Sequence, residues 1–169
     1  QAALAALLVL AAASGIPSPP TDYDGLEYHL GAPAAYLRQG RISFLTDNAY
    51  AAFPQQQEML YLACLAATGA HPGGAMAAKT VNLGCWALAA LALLALGRRP
   101  GSTRSGGWAA LMLLTSPWVN HTSGWMVYNE PGLSLFALLA FATALEGAPG
   151  LAGLFAGLAF AVKYPAALL

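Results

Sequence analysis

The chain has 169 residues, 58% of them hydrophobic and 8% charged, with seven basic and seven acidic side chains and no formal net charge. Soluble domains carry roughly a quarter charged residues, about three times this share. The balance of charge argues against a basic nucleic-acid binder and an acidic disordered tail alike. Cys64 and Cys85 lie far apart in apolar sequence, which argues against a disulfide scaffold and a zinc ribbon. The class that remains is an integral membrane protein, all-α, built as a polytopic transmembrane helix bundle.

Charge placement sharpens this expectation. Half of the charges lie between Asp22 and Glu58. The rest are Lys79, the cluster Arg98, Arg99 and Arg104, and single residues at Glu130, Glu146 and Lys163. The intervening stretches are uncharged. A span needs about 20 predominantly apolar residues, because the hydrocarbon core is roughly 30 Å thick and a helix rises about 1.5 Å per residue. The chain starts at Gln1 and stops at Leu169 inside apolar runs, so it reads as a fragment cut within a helix at both ends.

The first helix is expected over 1–15, stopped by Gly15, Pro17, Pro19 and Pro20. A signal peptide is the other reading of this stretch, but no charged leading segment precedes it. Residues 17–74 form one long external loop with interfacial helices. Leu26, Leu30, Ala34 and Leu37 recur at helical spacing before Gly40, which predicts an amphipathic surface helix. A second short helix is expected from Pro54 to Thr68, at the interface or partly dipped in. Further spans are expected over 75–97, 107–126, 131–146 and 151–169. Lys and Arg collect in cytoplasmic loops, so Arg98–Arg104 lies inside. The long loop, Glu130 and the end of the last helix then lie outside. Asp22, Asp24, Glu27, His29, Glu130 and Lys163 converge on that face.

Each polar candidate has a structural reading beside a functional one. Asp24 and Glu27 have the spacing of a capping box, which leaves Asp22, Tyr28 and His29 unexplained. Asp22-Tyr23-Asp24 also has the Asp-x-Asp form of metal-nucleotide sites, a weak signal without a nucleotide-binding domain. Glu130 follows Asn129 and precedes Pro131, as at a helix N-terminus, yet ionisable residues at spans also mark sites. Lys163 and Lys79 read as snorkelling lysines or as phosphate contacts. Gly150, Gly153 and Gly157 suggest close helix packing. Trp108, Trp118 and Trp125 read as interfacial anchors or packing residues. His71 falls in a Gly/Pro turn, and Asn120-His121-Thr122 is a glycosylation sequon.

The order of motifs is a signal of its own. A first helix is followed by Asp24-x-x-x-Tyr28, Leu37-Arg38-Gln39-Gly40 and Phe53-Pro54 opening a short helix. Asn129-Glu130-Pro131 and Val162-Lys163-Tyr164 come later. This order resembles the amino-terminal part of the GT-C superfamily of membrane glycosyltransferases, of the protein O-mannosyltransferase and lipid A aminoarabinose transferase type. The resemblance implies a GT-C-like bundle that takes a sugar from a polyprenyl phosphate carrier, on the non-cytoplasmic face of a bacterial inner membrane. Its acceptor is a glycan, lipid or protein hydroxyl, and it does not fix a divalent metal. Asp24 matches the catalytic acid of the first external loop. Glu130 matches the second acidic position, where Asp-Pro is common, and Lys163 matches a lysine near the outer end of the following helix.

The mechanism so implied is inverting transfer. Asp24 accepts the acceptor proton, and Lys163, Lys79, Arg38 and Arg41 are the cations available to the leaving phosphate. Asp22, Glu27, Tyr28 and His29 complete the expected substrate contacts. Two other classes fit a polytopic apolar chain: a transporter or flippase, and a non-catalytic assembly subunit.

Overall fold

The structure, a computed structural model, describes residues 6, 10, 13–69, 72–98 and 104–169, with Ser123 given by its backbone alone. Most of the expected first helix, 1–15, and also His71 and loop residues 99–103, lie outside the described residues. Every regular element among the described residues is helical. They are α1 (Gly31–Gln39), α2 (Gln56–Thr68), α3 (Gly73–Leu96), α4 (Ser105–Thr115), α5 (Pro117–Asn120), α6 (Glu130–Leu145) and α7 (Pro149–Val162). Wide π-type turns at Gly25–His29 and His121–Trp125, and 3₁₀ turns at Ala49–Ala52 and Tyr164–Leu168, join or extend them.

α3 is the centre, packed against α2, α4 and α6. Its 24 residues make it about 36 Å long. It is the one described helix long and apolar enough to cross a membrane; α4, α6 and α7 are apolar but shorter. Cys85, Trp86 and Ala89 of α3 pack with Val119 and with Leu135 of α6. Leu30, Tyr61, Ala75, Ala78 and Val127 make a second core nearer the start of α3.

Two expected spans are broken, each at a proline. Residues 107–126 do not form one helix. Ser116 is extended at ψ 127° and Pro117 starts a new turn, because the residue before a proline is pushed out of the helical region. The span expected over 151–169 ends at Val162. Lys163 is extended at φ −156°, ψ 125°, and Pro165 has no N–H with which to continue the helical ladder.

The amphipathic helix also differs from its expected form. α1 starts only at Gly31, since the preceding turn is closed by an i→i+5 bond from Leu30 N to Gly25 O of 2.9 Å. The extra residue in that turn rotates Leu26 out of the stripe; Leu30 and Ala34 are buried, while Leu26 and also Leu37 are exposed. The real buried face is Ala32, Ala34 and Tyr36, with Ala32 and Tyr36 packed on Leu45. α1 ends as expected at Gly40, left-handed at φ 65°, with Arg41 N donating back to Tyr36 O. α2 is more enclosed than a surface helix: Gln57, Glu58, Tyr61 and Leu65 are all buried.

Close helix approach occurs where the sequence did not point. A Cβ on Gly106 would sit 2.7 Å from the Gly97 Cα, so the basic loop joins two backbones in contact. A Cβ at Gly132 would collide with Gln57 Oε1. At Gly150, Gly153 and Gly157 there is open space instead, because α7 meets α6 through other residues, including the stacked rings of Phe136 and Phe155.

These contacts set which ends meet. Asn82, in the first half of α3, donates to Tyr128 O just before α6, at 2.9 Å. Asn129 donates to Val162 O at the end of α7, at 3.3 Å. The starts of α3 and α6 and the end of α7 therefore share one end of the molecule. Gly97, Gly106 and the α6–α7 turn at Gly147 lie at the other.

Candidate functional site

The polar residues gather at the first end because each helix there stops or starts on a bonded side chain. Asn129 immediately precedes α6 but does not cap it. Its Nδ2 donates to Glu58 Oε1 at 3.2 Å and to Val162 O at 3.3 Å. Glu58 Oε1 also takes His29 Nδ1 at 2.6 Å, and both residues of that pair are about 1% exposed. One buried carboxylate thus fastens the π turn, α2, α6 and α7. Beneath it Tyr61 OH donates to Asn82 Oδ1 at 2.6 Å, and Gln57 Nε2 reaches the same oxygen at 3.1 Å.

The break at Lys163 has a direct consequence. Its Nζ donates to Glu130 Oε1 at 2.7 Å, with the two side chains 36% and 25% exposed. Lys163 is therefore held by an acid at the start of α6 and does not reach along the helix as a snorkelling lysine. Lys79 does not snorkel either. It is buried and donates to Ser18 O at 2.7 Å and Gly15 O at 3.3 Å, clamping the turn at 15–18 to α3.

The two aspartates of the acidic loop have different jobs. The expected capping box of Asp24 and Glu27 does not form, and the Asp24 side chain makes no capping bond. Asp22 Oδ2 accepts from Gly25 N at 2.6 Å instead. Asp24 is left half-buried beside Tyr28. Burial, then the charges of Asp24, Glu130 and Glu58, raise the Tyr28 phenol well above its ordinary range. Burial, followed by Asp22, Asp24 and Glu130, raises Tyr128 as well. Both phenols feel acids from the first loop and from α6.

A pocket of about 70 Å³ opens in the middle of this group. Tyr28, Tyr50, Phe53 and Tyr164 form its aromatic wall, Lys163 its rim, and Glu58 with Asn129 its floor. The rings are in contact: Tyr28 stacks on Tyr50 at 5.3 Å, Tyr50 meets Phe53 edge-on at 5.8 Å, and Phe53 meets Tyr164 edge-on at 5.6 Å.

Of the residues expected to act together, Tyr28 and Lys163 line this pocket, while His29 and Glu130 are bonded to its lining residues Glu58 and Lys163, and Asp24 does not line it. Glu27 and Arg38 instead line a separate groove with Asp47 and Asn48, and Arg41 is exposed beyond α1. Among the described residues no three His, Cys, Asp or Glu side chains are placed to hold a metal. The sequence reading passed over Glu58, Asn129, Tyr50 and Tyr164 as site residues. The polar run Gln55-Gln56-Gln57-Glu58 at the mouth of an apolar helix was the available signal. Comparison with protein-family models, with curated proteins and with solved structures finds no match to the chain.

Proposed function

We propose that the protein is a polytopic membrane glycosyltransferase that moves a sugar from a polyprenyl phosphate carrier to an acceptor hydroxyl. The observation that supports this most is the aromatic-walled pocket at one end of an apolar helical assembly, lined by Lys163 and Tyr28, with Glu130 paired to that lysine and the charge of Asp24 felt at that tyrosine. The membrane half of the reading rests on the helix surfaces. Beyond Lys79 and Glu130, near the starts of their helices, α3, α4, α6 and α7 contain no charged residue. Leu88, Leu91, Trp108, Met112, Phe141 and Leu154 stand exposed on them, an apolar face of the kind that marks contact with lipid or another protein.

In the proposed reaction the acceptor oxygen attacks the anomeric carbon as the carbon–oxygen bond to the carrier phosphate breaks. Asp24 takes the hydroxyl proton, a role typically worth about 10²–10⁴-fold, and the carrier leaves as the lipid phosphate. Lys163 meets the phosphate oxygens. Its ion pair with Glu130 is partly exposed, and such pairs are worth roughly 0–1 kcal/mol, so exchange of partners costs little. Glu130 holds the lysine in place until the donor arrives.

The test is transfer by the full-length protein from a panel of polyprenyl phosphate sugars, with Asp24→Asn as control. No transfer from any donor, or full activity in Asp24→Asn, would sink the reading. The break at Ser116–Pro117 favours one other class, a transporter, since transport sites often sit at interrupted helices. Proton-coupled uptake by reconstituted protein would decide for it.

A further inference from the structure

Two of the residues that line the pocket, Glu58 and Asn129, each carry an unpartnered acceptor. Glu58 Oε2 and Asn129 Oδ1 are buried and have no hydrogen-bond partner. Glu58 is 1% exposed and Asn129 4%. The orientation of the Asn129 amide is fixed, because its Nδ2 faces a carboxylate and a carbonyl, neither of which can donate. Both free atoms are therefore acceptors, and a buried acceptor left empty is costly. Whatever completes the floor must bring donors.

We infer that this pocket binds the hydroxyl-bearing edge of a sugar ring, with two hydroxyls donating to Glu58 Oε2 and Asn129 Oδ1. The other ligand chemistries fit less well. A phosphodiester brings no donors, and any phosphate group would set its negative charge against a carboxylate. An ammonium group would meet Lys163 on the rim. A neutral polyol supplies donors without charge. Tyr50, Phe53 and Tyr164 are each about half exposed and offer flat apolar surface to the carbon face of the ring, as aromatic walls do in many ligand pockets. The volume, about 70 Å³, exceeds the roughly 10–15 Å³ that one water needs and suits a ring entering edge first. The inference rests on the transferase reading only for where the sugar comes from.

The experiment is ligand-observed NMR on the full-length protein in detergent, with methyl pyranosides of differing stereochemistry as probes. Tetrahydropyran, which lacks hydroxyls, and ethanolammonium are the controls. At least one glycoside should bind and the controls should not. In Glu58→Gln the charge-assisted acceptor is lost, and affinity should fall about tenfold. Tyr164→Ala removes only an exposed part of the aromatic wall, and should weaken binding similarly in a protein whose fold is unaffected. The inference is overturned if no glycoside binds, if ethanolammonium binds in its place, or if Tyr164→Ala leaves binding unchanged. Glycoside binding without transfer from any lipid-linked donor would overturn the transferase reading alone. Transfer with unchanged KM in a folded Glu58→Gln protein would overturn this inference alone.

Discussion

His29 and Glu58, 29 residues apart, meet at 2.6 Å with both side chains 2% exposed. The carboxylate that takes His29 also takes Asn129, and Asn129 takes the last carbonyl of α7. Two connections of the fold thus run through one oxygen of Glu58, and a third through the Asn129 amide it holds, beside a pocket that Glu58 lines.

Removing either member alone leaves the other buried and unmatched. For buried pairs this costs about 3–5 kcal/mol, whereas replacing both with apolar groups is often neutral or better. His29→Leu and Glu58→Leu should each lower the thermal midpoint in detergent markedly, and the double variant should lose much less than their sum. Additive losses would show that the two side chains are not coupled.

Asp22 and Asp24 should separate stability from activity. Asp22 closes the turn through Gly25 N, so Asp22→Ala should cost about 0.5–2 kcal/mol, the range for lost caps. Asp24 makes no such bond. Asp24→Asn should leave the thermal midpoint unchanged and remove transfer. The reverse pattern would exchange the roles of the two residues.

Tyr28 supplies a titration marker for the site. Its phenol is raised above the ordinary value of 10, first by burial and then by Asp24. A folded-state value above the unfolded one means the stabilising difference is whole below pH 10 and lost as pH rises through the folded value. Ultraviolet titration should find a tyrosine that stays neutral past pH 10 and vanishes in Tyr28→Phe. That variant should also lose less stability than the parent above pH 10. Ionisation of every tyrosine in the ordinary range would contradict the buried setting of Tyr28.

Helical content, the long helix ending near Leu96 and the stop at Gly40 were legible because each has a local cause: an apolar run or a left-handed glycine. The nearness of Glu130 and Lys163 was foreshadowed by charge placement, which offered it only as a shared face. Ser116-Pro117 and Tyr164-Pro165 were visible in the sequence, yet hydropathy ran smoothly across both and hid the breaks. Glu58 and Asn129 were illegible for another reason. Their partners lie 29 and 71 residues away, and no periodicity announces a contact of that range. The expected stripe failed at Leu26 because a single extra residue in a π turn rotates everything before it, which spacing alone does not reveal.

Topology is the prediction on which the chemistry depends. The acidic loop, Glu130 and Lys163 occupy one end of the molecule, and Gly97 and Gly106, which flank the basic loop, occupy the other. With α3 about 36 Å long against a hydrocarbon core of roughly 30 Å, the two ends would lie on opposite faces of a bilayer. The arginines should be inside by charge bias, which sets the pocket outside. Single cysteines at Ser43, Ser102 and His121, in a background lacking Cys64 and Cys85, test this with an impermeant thiol reagent on intact cells. Ser43→Cys and His121→Cys should label from outside, and Ser102→Cys only after the membrane is opened. Labelling of Ser102→Cys from outside would turn the whole pocket to the cytoplasm. Asp24 would then meet no acceptor on the external face, and transfer from a carrier presented there would have to be abandoned.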